Sequence, residues 1–164
     1  MAVILAFDVY GTLSSTHGVV TALREVVGEK ADDFSRNWRE KQLEYSFRRG
    51  LMQNYVDFSI CTEHALTYVS EHHKLVLSET QKGTLLNAYR VLPTFDDVGD
   101  ALDELQAGDF QLYAFSNGSQ QAVEGSLTTA GILDRFIAVV SVDDLKSFKP
   151  NPQLFTAIYR AAQG

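Results

Sequence analysis

The chain has 164 residues, of which 45% are apolar and 21% charged, and a formal net charge of −7. That composition belongs to one folded domain with a core of its own and excludes collagen-like, low-complexity and disordered chains. The acidic balance argues against a nucleic-acid partner, because phosphate binding needs a basic surface, and points to a small solute. The longest apolar runs, MAVILAF and FIAVVSV, are too short to cross a bilayer and follow no basic stretch, so neither a membrane span nor a signal peptide is expected. The one cysteine, Cys61, cannot form an internal disulfide. It fits a reducing cytoplasm and reads as a small, half-buried apolar residue.

MAVILAFDVYGTL opens with a continuous apolar run, turns polar at Asp8 and reaches Gly11, the order of a buried parallel strand followed by a tight loop. From His17 to about Arg90 the pattern is helical. VVTALREVV, the stretch Asp32 to Met52, VDFSICTEHALTYVSEH and TLLNAYRVL predict four helices with no strand between them. Pro93 breaks the series. DDVGDALDELQAGDF then predicts a helix ended by Gly108, FQLYAFSNG a second strand, and FIAVVSVDDLKSFKP a third after a helix ending near Gly131. Strands alternating with helices imply a parallel sheet, and the helical run after the first strand is an insertion. The expected organisation is a split α/β core, residues 1–14 and 91–164, carrying an all-helical cap, residues 15–90.

In open α/β sheets ligands bind outside the carboxyl ends of the strands. Asp8 with Thr12, Ser116 with Asn117, and Lys149 all fall at such ends. They offer a carboxylate nucleophile, hydrogen-bonding groups and a cation that keeps the carboxylate ionised and oriented. Each also has a plainer role open to it: Asp8 as a turn residue, Ser116 and Asn117 as a strand-to-helix turn, Lys149 as an exposed loop lysine. His17, His64, His72 and His73 lack metal-ligand spacing, so solvated or structural roles are expected.

FDVYGTL, SNG and the lysine of FKP resemble the first three motifs of the haloacid dehalogenase superfamily, and the similarity runs from residue 3 to the end of the chain. The stretch WREKQLEYSFRRGLMQNYVDF is similar to the (S)-2-haloacid dehalogenases and is more specific than the three short motifs. The resemblance implies a Rossmann-like parallel sheet with an inserted helical cap. It makes Asp8 the nucleophile and Arg39 the group that receives the departing halide. It gives Ser116 and Asn117 to the substrate carboxylate, lets Thr12 and Lys149 position Asp8, and lines the apolar pocket with Tyr10, Leu43 and Phe58; Val9 belongs to the substrate-binding set. It implies a short halogenated carboxylic acid as substrate and no cofactor or metal; a homodimer is expected on a separate ground, the edge pairing that an unpaired first strand invites. The chemistry points the same way. Superfamily phosphatases carry a second aspartate two residues after the nucleophile to protonate an alkoxide, whereas that position here is Tyr10 and a halide leaves without a proton. A haloacid carries one negative charge that side chains can meet, while a phosphoryl group usually recruits Mg²⁺.

Two departures bear on this reading. The family's fourth motif, an acidic loop after a fourth core strand, would lie beyond Gly164. A core shortened in that way leaves the first strand at an unpaired edge and lacks the carboxylate that helps water attack the ester. Phe155 also stands where dehalogenases tend to carry a tyrosine, and NPQLF there resembles the phosphatase branch. The rival readings are a catalytically silent truncated module that binds small anions or a partner chain, and a phosphatase-branch member.

Overall fold

In the computed structural model, which describes residues 3–161, three parallel strands stand in the order β1–β2–β3: Val3–Phe7, Phe110–Ser116 and Ala138–Ser141. β2 is the middle strand, and its two faces are covered differently. Leu112 and Ala114 point into a core built with Val98 and Leu102, Val123 and Leu127, and Val139. Phe115 points to the other side, where Phe148, Val142 and Leu154 meet it. This alternation follows from the two-residue period of a strand. It puts α5 (Val98–Ala107) and α6 (Gln120–Thr129) on one face and α7 (Pro152–Ala161) on the other. β1 lies at an edge of the described sheet, with Val3 and Ile4 exposed.

Between β1 and α5 the chain forms α1 (Val20–Val27), α2 (Ala31–Leu51), α3 (Phe58–His72) and α4 (Glu79–Arg90), the four expected helices. Their shared core is Leu23, Phe34, Trp38, Leu66, Val69 and Leu85. Trp38 is fully buried, and its indole N–H donates to the Thr62 carbonyl at 2.8 Å, so burying this large ring leaves no polar group unpaired. α2 and α3 pack as the main helix pair of this layer. Tyr10, just after β1, packs against all three apolar clusters and joins the helices to the sheet.

Local signals explain most boundaries. Asp57 caps α3 by accepting from the Ser59 N–H at 2.7 Å, and Ser78 with Gln81 forms a reciprocal capping box that starts α4. The helix expected from Thr84 therefore begins at Glu79, because its first turn is polar and carries no apolar periodicity. α5 ends at Gly108 as expected, but the left-handed residue that turns the chain into β2 is Asp109 (φ +61°), while Gly108 keeps φ −91°. Cys61 is fully buried rather than half-buried, and burial pushes its thiol up to about 11. Of the histidines, His73 packs on the Phe34 ring and meets the Asn37 amide at 3.1 Å, a structural role. No helix among the described residues is long and apolar enough to cross a membrane.

Candidate active site

The parallel register pairs Phe7 with Ala114, which sets Asp8 level with Phe115. There the Lys149 ammonium bridges the two strands. It donates to Asp8 Oδ1 and, at 2.8 Å, to the Phe115 carbonyl, and it lies 4.7 Å from the centre of the Phe115 ring. Lys149 comes from the loop before α7, and that loop is fixed to β2 by its own backbone N–H, which donates to Asn117 Oδ1 at 2.8 Å. With its oxygen so engaged, the Asn117 side chain has its NH₂ end left to donate. Asp8 is the exposed member of the pair, its side chain 45% accessible against 17% for Lys149. One carboxylate oxygen is held while the other is open.

The turn after β1 brings the helical layer to this point. The Val9 carbonyl accepts from the N–H groups of Thr12, Leu13 and Ser14, and Gly11 takes φ +99°, a conformation that side-chain-bearing residues resist. The turn leaves the Tyr10 carbonyl facing α2, where Arg39 Nη2 donates to it at 2.6 Å. Arg39 Nη1 donates to Gln42 Oε1 at 2.7 Å, and no carboxylate pairs with this guanidinium among the described residues. Both of its partners are neutral acceptors, so the full positive charge remains for a ligand.

Asp8, Tyr10, Arg39, Leu43, Phe58, Asn117 and Lys149 line one cavity of about 270 Å³, completed by Phe47 and Pro150. These seven are all residues expected from the sequence. Three other expected residues lie off its wall. Val9, in the turn after β1, is a fully buried core side chain in the cluster of Leu13, Leu112 and Ala114. Ser116 is fully buried, and its hydroxyl accepts from the Gly118 N–H at 3.2 Å. Thr12 is exposed on the turn, and its hydroxyl makes no hydrogen bond to Asp8 among the described residues. Phe47 and Pro150 are additions to the wall that apolar patterning does not mark, and Gln42, off this wall, joins the site only through its hydrogen bond to Arg39, three residues away on the same face of α2.

The stacked rings of Tyr10 and Phe58, 6.2 Å apart, separate this cavity from a larger one of about 580 Å³ between α3, α4 and α6. Gly118 permits that arrangement, since a Cβ there would lie 3.3 Å from Tyr10 Cε2 and 3.0 Å from Val123 Cγ2. Burial, and then the charge of Asp57, pushes the Tyr10 phenol up to about 12, so it stays neutral beside Asp8. The smaller cavity holds the carboxylate and both cations. The larger has Asp57, Glu63 and Arg90 among its lining residues and neither Asp8 nor Lys149. Among the described residues no group of three His, Cys, Asp or Glu side chains is close enough to hold a metal ion.

A carboxylate–ammonium pair at the carboxyl ends of a parallel sheet, facing helices inserted after the first strand, places the chain among α/β folds, in which ligand sites lie outside the carboxyl ends of the strands. The sequence names the family: residues 3–164 match haloacid dehalogenase-like hydrolases, and the chain belongs to them. The (S)-2-haloacid dehalogenase of Pseudomonas sp. (strain YL) is 38% identical over 151 residues, 92% of this chain and 65% of that protein. The L-2-haloacid dehalogenase of Xanthobacter autotrophicus superposes with a TM-score of 0.92 at 32% identity, over all of this chain and 66% of its own. The same enzyme with chloropropionic acid covalently bound superposes equally well. The chain thus spans about two thirds of the length of these relatives.

Proposed function

We propose that this chain carries the nucleophile and substrate site of a hydrolytic dehalogenase, which converts short (S)-2-haloalkanoic acids to 2-hydroxy acids through an ester on Asp8. The observation that carries this reading is the disposition of charge around one small cavity, with Asp8 held by Lys149 and Arg39 free of any carboxylate among the described residues. The covalently bound chloropropionic acid of the Xanthobacter relative supports it.

The free Asp8 oxygen attacks C2 of the haloacid from the side opposite the halogen. The C–O bond forms as the C–halogen bond breaks, and the halide leaves with the bonding pair toward Arg39. Lys149 holds the attacking carboxylate in one orientation, worth several kcal/mol if the approach is in line. The Asn117 NH₂, with Ser116 behind it, receives the substrate carboxylate. Tyr10, Leu43 and Phe58 enclose the alkyl portion and exclude water, which strengthens both ionic contacts. Water then attacks Cγ of Asp8, the ester C–O bond breaks, and the 2-hydroxy acid departs with release of one proton. Thr12 and Val9 form the turn that aims Asp8. Residues 15–90 act as a cap over the core of 1–14 and 91–164. No cofactor enters either step.

The test is halide release from 2-chloropropionate with EDTA present, against hydrolysis of p-nitrophenyl phosphate with Mg²⁺. Halide release without metal supports the reading, and a preference for the phosphate ester would falsify it. Two copies pairing through the exposed edge of β1, in a cytoplasmic setting, complete the proposal, and light scattering reads the dimer.

A further inference from the structure

Gln42 is a fully buried amide in the middle of α2, where a Leu or Ala would be the ordinary choice. Every polar atom it owns is engaged. Its Nε2 donates to Thr62 Oγ1 at 2.5 Å, and Thr62 Oγ1 donates its single proton to the Phe58 carbonyl at 3.1 Å. Thr62 therefore meets Gln42 only as an acceptor, which fixes the amide with its oxygen toward Arg39. That oxygen takes Arg39 Nη1 at 2.7 Å and the Tyr89 hydroxyl at 3.3 Å. The chain from the Phe58 carbonyl through Thr62 and Gln42 to Arg39 is directional and spans α3 and α2, with α4 bracing it through Tyr89.

We propose that Gln42 is the positioning residue for Arg39, and that it orients the guanidinium while leaving its charge uncancelled. The inference rests on Arg39 meeting the departing halide and adds what holds it there. A carboxylate at this place would orient Arg39 as well, but it would neutralise the cation. A neutral acceptor orients it without competing with a bound anion. The buried amide is tolerated because both its nitrogen and its oxygen have hydrogen-bond partners, and such a network holds its members in place. Thr62 and Tyr89 act through Gln42 in the same way, and none of the three touches substrate.

The test uses the full chain with Gln42→Met, Gln42→Glu, Arg39→Lys and the double variant Gln42→Met/Arg39→Lys. The first equivalent of halide released gives the rate constant of displacement and the substrate concentration that half-saturates it, and thermal unfolding with and without sodium bromide at constant ionic strength gives anion binding. Gln42→Met, of similar size, should lower that rate constant about 10- to 100-fold with a much smaller change in the half-saturating concentration. In the Arg39→Lys background it should cost almost nothing further, because the group it positions is already altered. Gln42→Glu keeps the acceptor and so covers the case in which Gln42→Met does not fold; it should abolish the stabilisation by bromide that the wild type and Arg36→Ala retain. Losses that multiply in the double variant, a Gln42→Met displacement rate constant within twofold of wild type, or an unchanged bromide effect in Gln42→Glu would each overturn the proposal. Bromide stabilisation with no halide released from 2-chloropropionate by the wild type, not even a first equivalent, would instead count against the dehalogenase reading and leave the Gln42 assignment standing.

Discussion

Asp8 and Lys149 meet at the top of the sheet although 141 residues separate them, and the ammonium that holds the carboxylate also holds the neighbouring strand through the Phe115 carbonyl. Orientation of the carboxylate is thus tied to the pairing of β1 with β2. Lys149→Met should lower the rate constant for release of the first halide about 100-fold or more, because both the charge and the fixed geometry at Asp8 are lost. It should also destabilise the chain by about 1–2 kcal/mol through the unpaired Phe115 carbonyl. Halide-release kinetics and urea unfolding read the two effects separately, and normal turnover would detach Lys149 from the reaction.

Asp8→Asn should abolish turnover and leave stability nearly unchanged. A neutral amide is not a carboxylate nucleophile, and a side chain 45% accessible contributes little to the core. Residual halide release above about a hundredth of wild type would assign the displacement to another group.

Strand ends are the part of this site that is legible in the sequence. An apolar run that stops at Asp8, another that stops at Ser116 and Asn117, and a lysine before Pro150 converge once the strands are parallel, because parallel strands end on the same side. The direction of each side chain within a turn is not written in the same way. Thr12 and Ser116 stand next to residues of the cavity, yet Thr12 faces solvent and Ser116 is folded back onto Gly118. Gln42 was hidden for a different reason. The buried stripe of α2 runs Ala31, Phe34, Ser35, Trp38, Gln42, Ser46 and becomes polar halfway along, so apolar periodicity loses it where the site begins. The start of α4 escaped for the same reason, its first turn being capped by Ser78 and Gln81 and not packed.

Arg39 and Arg36 lie one turn apart on α2 in opposite circumstances. Arg36 is exposed and paired with Asp33, while Arg39 reaches the cavity and has no carboxylate among the described residues. Arg39→Lys should lower the rate constant for release of the first halide about 10-fold or more, since one ammonium nitrogen, although it carries three N–H groups, does not reproduce the planar fork with which Nη1 and Nη2 reach Gln42 and the Tyr10 carbonyl separately. Arg36→Lys should change it by less than about twofold, as surface ion pairs contribute little. Equal effects of the two substitutions would reduce Arg39 to a surface charge.

Tyr55, between α2 and α3, donates to Asp143 Oδ1 at 2.6 Å and packs on Phe148, joining the helical layer to the loop that leads to Lys149. The Tyr55 hydrogen bond, followed by Lys146, holds the Asp143 carboxyl below the ordinary value. A lowered carboxyl pKa contributes stability above the unfolded value of about 4, and that stability is lost as pH falls through the folded value. Burial first, and then Asp143, raise the Tyr55 phenol well above its ordinary value, so this contribution persists at neutral pH and fades only as pH rises past about 10. Tyr55→Phe should therefore cost about 0.5–1.5 kcal/mol between about pH 5 and pH 9, a range that allows for the partial exposure of Asp143, and the difference should shrink below about pH 4. Urea unfolding of both proteins across that range checks it. A difference independent of acid would remove Asp143 from the contact.

The two steps of the proposed reaction make unequal demands on this cavity. Displacement needs an oriented carboxylate and a cation for the halide, and Asp8, Lys149 and Arg39 provide them. Hydrolysis of the ester needs a base to take a proton from water, and Asp8 is the one carboxylate among the described residues lining the cavity. Once esterified it can no longer serve, and protonated lysine and arginine side chains have no lone pair to accept a proton. Incubation of this chain with 2-chloropropionate should accordingly give a burst of halide close to one equivalent, followed by slow release. Mass spectrometry of the digested protein should find the adduct on the peptide containing Asp8, and a jump to alkaline pH should discharge it by direct attack of hydroxide. In heavy-oxygen water the label should enter Asp8 before it appears in the product, because attack occurs at Cγ and not at C2. Steady turnover with no adduct would assign the base to a group already present in the cavity.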